Sequence, residues 1–301
     1  MEYSGICGTD KHSFEGFFHQ KGGRPIPLPV IQGHENVGII EEINGKILDH
    51  DGNELHVGDR VVPAPNISCG ECFACRNNRP YYYCECKLDY GNNIGAGEPP
   101  HIFGGWSEYL YILPGSHLFK YPDTLDPKFG TFIEPLSVTG CLDKARQWSS
   151  EWEPFRSGDT VVILGTGPIG LFHLIKANLM GAGKIYSVDP YKFRTSLAKE
   201  FGATEVITSE DREEIKDSIM RLTDNLGADL VVDCSGVLDG DAYYDNCEAC
   251  VGGSTGIEPD LDMDCANICF GDAYYDNCGD CVGGTTEIEP NLDDLGCGCF
   301  L

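Results

Sequence analysis

The sequence predicts an α/β protein: a β-rich domain, then a parallel sheet with crossover helices, then an irregular cysteine-rich tail. Three observations predict it. Short β-branched runs punctuated by Gly and Pro fill the first 150 residues, strand and helix patterns alternate from Asp159, and a 31-residue repeat takes over after Gly236.

The β-rich part, residues 1–150, contains runs such as Val37-Gly38-Ile39-Ile40 and Arg60-Val61-Val62-Pro63. The second part, 151–238, opens with Thr160 to Leu164, turns through Gly165 to Gly170, and continues as an apolar run from Leu171 to Met180. A strand at Lys184 to Val188, a helix across Phe193 to Phe201 and a strand at Glu205 to Ile207 follow. A helix near Glu213 to Leu226 and a strand at Asp229 to Val232 complete a βαβαβαβ run. The tail, 239–301, repeats Gly240-Asp241-Ala242-Tyr243-Tyr244-Asp245-Asn246-Cys247 as Gly271 to Cys278, and each copy carries a Cys-x-x-Cys pair.

Charge divides the chain at the same place. The net charge is −27; residues 1–238 hold all 21 basic residues, whereas 239–301 hold none and carry 15 of the 48 acidic ones. Nucleic acid is excluded as a partner, because a phosphate backbone is bound through clustered Lys and Arg. No apolar run reaches the length of a membrane span, and the start, Met1-Glu2-Tyr3-Ser4, lacks the features of an export signal. A cytoplasmic protein with no membrane partner is expected.

Cysteine carries the strongest chemical signal. Cys69-x-x-Cys72-x-x-Cys75 followed by Cys84 can close on one tetrahedral Zn²⁺, and four thiolates leave no position for substrate, so the ion would be structural. Cys86 competes for the fourth place, with Cys84 preferred. The second signal is Gly165-x-Gly167-x-x-Gly170 between a strand and a helix, with Pro168 and Ile169 inside the turn and Asp189 nineteen residues beyond Gly170. Such glycines let a pyrophosphate approach a helix N-terminus, and an acidic residue at Asp189 would accept hydrogen bonds from a ribose and repel a 2′-phosphate, which favours NAD. Spacing alone does not join Cys7, His34, Glu35 and Glu134.

Taken in order, Cys7-Gly8-Thr9-Asp10, Gly33-His34-Glu35, the cysteine lobe, Gly104-Gly105-Trp106-Ser107-Glu108-Tyr109, Glu134-Pro135-Leu136 and the glycine turn resemble the medium-chain, zinc-containing alcohol dehydrogenase family. Glu134 is similar to the sorbitol and threonine dehydrogenase branch. The resemblance covers residues 1 to about 238 and implies a GroES-like domain joined to a Rossmann domain. It implies a catalytic Zn²⁺ held by Cys7, His34 and Glu35 or Glu134, a proton relay through Thr9 and His12, and Asp10 orienting His34. Arg194 and Ser235 join the expected cofactor contacts, with Asp233-Cys234-Ser235-Gly236 on the nicotinamide side. The activity so implied is NAD-dependent oxidation of a small-molecule secondary alcohol or polyol.

Against the family pattern, strands are missing before Cys7 and after Val232. The expectation is therefore an open sheet edge at Leu230-Val231-Val232, loss of the family-type homo-oligomer, weak NAD binding and low turnover. The tail resembles repeats of extracellular, multi-modular bacterial proteins, and its carboxylates and cysteines suit Ca²⁺, disulfides or a disordered acidic segment. The alternative function is a non-catalytic fusion presenting a calcium-binding or adhesive repeat.

Overall fold

The computed structural model describes residues 1–14, 26–97, 99–147, 155–234, 238, 240, 242–244, 250–251, 263–266, 268, 272–276, 281–286 and 290. The chain divides into two compact units, Met1–Ser137 and Val138–Leu301.

In the first unit, β1 (Tyr3–Ser4), β2 (Asn36–Ile39), β3 (Arg60–Pro63) and β6 (Leu118–Lys120) form an antiparallel sheet in the order β1-β2-β3-β6. Val37, Val62 and Tyr121 fill one buried cluster, and Leu55, Val61 and Leu118 another. Val61 and Val62 thus point to opposite faces, as the two-residue strand period requires. A short pair, β4 (Asn66–Ile67) and β5 (Leu88–Asp89), ties the two ends of the cysteine lobe through Asn66 opposite Asp89 and Ile67 opposite Leu88.

The second unit holds a parallel sheet of β7 (Thr160–Leu164), β8 (Lys184–Val188), β9 (Glu205–Ile207) and β10 (Leu230–Val232), in the order β10-β7-β8-β9. Both faces are covered. Val161 and Ile163 join Leu174 and Ala177 of helix Pro168–Leu179 on one side, while Val162, Tyr186 and Val188 lie in the cluster flanked by Ile215 and Ile219 of helix Arg212–Leu222 on the other. Continuous apolar strands are what a doubly covered parallel sheet demands. The helix expected to reach Leu226 ends at Leu222, because Asp224 and Asn225 adopt left-handed conformations, φ 54° and 64°, that a helix cannot continue through.

As expected, β10 is the outer strand of this sheet. Leu238 forms a single antiparallel bridge with Val232 and packs against the same core. Leu230 and Val232 bury their side chains in the core, while β10 remains the edge strand. The Asp233 carboxylate accepts the Ala242 N–H at 3.1 Å.

Among its described residues the tail holds two short antiparallel strand pairs. Tyr243 pairs with Val251 and Tyr244 with Cys250 in the first; Tyr274 pairs with Val282 and Tyr275 with Cys281 in the second. The repeat starts earlier than Gly240, since Asp264, 31 residues after Asp233, likewise accepts the Ala273 N–H at 3.1 Å. Cys234 and its counterpart Cys265 are both disulfide-bonded, Cys265 to Cys281. Asp264 also accepts the N–H groups of Ala266 and Ile268, each at 2.9 Å. These donors, Ile268's foremost, hold its carboxyl below the usual carboxylate range.

Replacing Asp264 by Ala is expected to free the Ala266, Ile268 and Ala273 amides to rapid hydrogen exchange, with Val161 to Ile163 as protected as in the parent chain. Because the folded-state value is lowered, the contribution of Asp264 is present above the unfolded carboxylate pKa and is lost as pH falls through the lowered one. Exchange at the Ala273 amide, followed by NMR down an acid series, reads this directly.

Candidate metal centres and nucleotide turn

Four thiols converge in the cysteine lobe. Cys69 precedes a turn, Cys72 opens helix Phe73–Arg76, Cys75 lies within it, and Cys84 follows the Tyr81–Tyr83 turn. Sγ separations are 3.9 Å between Cys69 and Cys75, 4.0 Å between Cys72 and Cys84, and 3.5 Å between Cys69 and Cys84. Ligands about 2.3 Å from a tetrahedral ion stand about 3.8 Å apart, so the spacing fits zinc without rearrangement. Backbone N–H groups also point at sulfur: Cys72 N–H at the Cys69 thiol and Cys69 N–H at the Cys84 thiol, at 3.3 and 3.4 Å. Backbone donors from Cys75 and Glu85 pull the Cys72 thiol down to about 6, while burial and the neighbouring Cys72 push Cys75 up to about 12. Four thiolates so close repel one another, and a divalent cation removes the conflict. Cys86, the competing candidate, is exposed and lies outside the convergent group.

A second group lies at β1 and β2. Donor atoms of Cys7, His34 and Glu35 all fall within 4.8 Å of one another. Asp10, buried on helix Gly8–Phe14, holds them: its carboxylate accepts the Cys7 N–H at 2.9 Å and the Gly33 N–H at 3.3 Å, and its Oδ1 stands 3.4 Å from His34 Nδ1. That orientation leaves His34 Nε2 for a metal. Burial opposes charge on His34, yet Asp10 and Cys7 outweigh it and push the imidazole up to about 10. Burial also raises Glu35, with Glu134 adding like charge, and burial raises Glu134. Protons thus crowd where a cation would settle the same charges. Glu134 opens helix Ile133–Ser137 close enough to act on Glu35 and His34 electrostatically but is not in the convergent group. Among the described residues three donors converge without a fourth, the arrangement an open site requires, in contrast to the closed lobe.

Thr9 Oγ1 lies 3.7 Å from Cys7 Sγ, and half-buried His12 follows one turn later on the same helix. Sequence reasoning missed Gln32 and Asn36. Gln32 Nε2 donates to the Asp10 carbonyl at 2.7 Å, and Asn36 Nδ2 donates to the Gly33 carbonyl at 3.2 Å. Their proximity to Gly33-His34-Glu35 was the one available signal.

In the second unit, the turn after β7 has Gly165 at φ +94°, and a Cβ on Gly170 would strike the Gly165 carbonyl. Close helix-to-strand contact therefore requires glycine at both positions. Pro168 and Ile169 begin helix Pro168–Leu179, whose free N–H groups face the turn. Thr166 Oγ1 is buried without a hydrogen-bond partner, as suits a group awaiting a ligand oxygen. Asp189 at the end of β8 accepts the N–H groups of Thr166 at 2.8 Å and Tyr191 at 2.9 Å, and Arg194 Nη1 lies 3.7 Å from it. Arg194 also lies over the Tyr191 ring, 4.9 Å from its centroid. Asp233 and Cys234, expected on the nicotinamide side, are engaged by the tail as described, and Ser235 and Gly236 lie outside the described residues. Among the described residues the tail has no converging group of Asp, Glu, His or Cys for calcium, and Asp264 spends its oxygens on backbone amides.

Comparison with known proteins decides the family. A profile described as "Alcohol dehydrogenase GroES-like domain" matches residues 1–123, and one described as "Zinc-binding dehydrogenase" matches 168–250. The body of this chain belongs to the zinc-type medium-chain alcohol dehydrogenase family. An alcohol dehydrogenase structure from Thermotoga maritima superposes with a TM-score of 0.69 at 31% identity, over 81% of this chain and 62% of that one. A zinc-binding dehydrogenase from Sinorhizobium meliloti bound to NADP gives 0.62 at 31% identity, over 78% and 61%. Among curated relatives, "Probable D-xylulose reductase A" of Arthroderma otae is 34% identical over 241 residues, 78% of this chain; the chain spans 61% of that relative's length. The GroES-like and Rossmann-type halves of this family are the antiparallel and parallel sheets of the two units. No helix among the described residues is long and apolar enough to cross a membrane.

Cys84→Ser is expected to lower zinc content by about one ion per chain and to reduce Tm, whereas Cys86→Ser leaves both as in the parent. Elemental analysis with thermal melting on the two variants checks the assignment of the fourth thiol.

Proposed function

We propose that the chain is a zinc- and NAD-dependent oxidoreductase that converts a secondary alcohol or polyol to a ketone. The observation that carries the reading is the open Cys7, His34 and Glu35 group with Asp10 fixed behind His34. Zinc in that group would supply Lewis acidity at the substrate oxygen, and NAD would supply the hydride acceptor.

The chain's own residues do the rest. Asp10 holds the imidazole of His34 in one orientation and the Cys7 backbone in place, so donor positions are set before metal binds. The substrate hydroxyl must lose its proton as the carbinol carbon loses hydride; Thr9, beside Cys7, and His12, one turn further along the helix, provide a hydroxyl and an imidazole for its passage outward. Glu35 supplies the third donor, and Glu134 acts as its neighbour and electrostatic modulator. In the nucleotide unit, the Gly165–Gly170 turn receives the pyrophosphate, and Asp189 stiffens that turn through the Thr166 amide. A carboxylate there disfavours a 2′-phosphate, which is the ground for NAD in place of NADP. The xylulose reductase relative points to a polyol and its ketose as the substrate pair to try first.

The test is single-turnover transfer of deuterium from the carbinol carbon of a C-deuterated pentitol to NAD by the zinc-loaded chain, followed by mass spectrometry. Deuterated NADH is expected, with the rate falling about a thousandfold in His34→Ala. Transfer to NADP alone, or a rate unaffected by His34→Ala, would contradict the reading. Asp189→Ala is expected to raise the NADH Kd about tenfold or more, since it releases the turn it braces, as fluorescence titration would show.

A further inference from the structure

We propose that Asn36 is a positioning residue for the open metal group, a staple that fixes the two chain segments carrying Cys7 and the His34-Glu35 pair in register. The proposal rests on the reading of that group as a zinc site.

Asn36 begins β2 directly after Glu35 and pairs with Ser4 of β1, three residues before Cys7. It is fully buried, and both halves of its amide are used. The Gly33 carbonyl can only accept, so the side-chain NH₂ faces it, at 3.2 Å; the amide oxygen therefore faces Ser4, whose hydroxyl donates to it at 2.8 Å. One side chain thus joins the residue before His34 to the strand that leads to Cys7.

The surroundings leave it no alternative position. The Gly33 carbonyl also receives the Gly105 N–H at 2.8 Å, and a Cβ on Gly105 would overlap the Asn36 amide oxygen. The next residue of that loop closes the ring: Trp106 N–H donates to the Gln32 carbonyl at 2.9 Å, and its indole N–H donates to the Gly5 carbonyl at 3.1 Å. Gly5 N–H in turn donates to the Glu35 carbonyl at 2.9 Å. Segment 4–7 and segment 32–36 are locked together by this ring, with the three donors on it. Asp10 sets the imidazole; Asn36 sets the distance between the segments. A buried amide of this kind has no isosteric substitute, because Asp in its place would turn an acceptor toward the Gly33 carbonyl and bury a charge.

The experiment is a Co²⁺ titration of the metal-free parent chain, Asn36→Asp, Asn36→Ala and Ser4→Ala, following cobalt stoichiometry and the thiolate-to-cobalt absorption that separates a four-thiolate site from a one-thiolate site. The parent is expected to bind at both sites. Asn36→Asp and Asn36→Ala are expected to bind at the four-thiolate site as the parent does and to lose about tenfold to a hundredfold in affinity at the other, with Ser4→Ala intermediate. Parent-like affinity at both sites in Asn36→Asp would overturn the proposal, as would parallel weakening of both sites, which would make Asn36 a general stability residue. A parent chain that binds cobalt at the four-thiolate site alone would overturn the open-site reading itself, and so is told apart from failure of the staple.

Discussion

The carboxylate of Asp10 is the group on which the open donor cluster depends. It is buried, and it reaches three separate places: the backbone just before the helix that carries it, the Gly33 amide, and the imidazole of His34. A buried carboxylate is costly unless its oxygens are used, and here they are used to bring together residues more than twenty positions apart in sequence. Removing it would strand His34 and loosen Cys7 at once. The antiparallel sheet carries the segments to within range, and Asp10 turns proximity into a defined set of donors.

The two candidate metal centres differ in how their protein framework is built. The closed lobe is local: its four thiols lie within sixteen residues, and β4 with β5 closes the loop that bears them. The open group is assembled from distant segments, so it relies on buried polar contacts between strands. A local site survives modest disturbance of the sheet; a long-range site does not. Two buried hydrogen bonds, from the Gly33 N–H to Asp10 and from Asn36 to the Gly33 carbonyl, lie at the open group.

Sequence was most informative where signals are short-range. Thr160 to Leu164, Lys184 to Val188 and Glu205 to Ile207 are strands with the boundaries their apolar pattern indicates, and the cysteine spacing leads straight to four converging thiols. It was least informative where distant residues decide. Nothing local shows that Asn36 faces Ser4, or that Leu238 bridges Val232 at the end of the edge strand. The end of the last helix was missed because two left-handed residues, Asp224 and Asn225, outweighed a helical pattern. The tail repeat was legible from Gly240, but its start at Asp233 was hidden because the same Asp-Cys pair also ends a strand of the parallel sheet.

With both groups loaded, the chain would hold a closed four-thiolate zinc and a second, open zinc with a single thiolate. X-ray absorption at the zinc edge of the fully loaded protein tests it most directly. The expected average coordination is about 2.5 sulfur and 1.5 nitrogen or oxygen atoms per zinc, the mean of the two sites. Coordination by four sulfurs alone, at one zinc per chain, would contradict it.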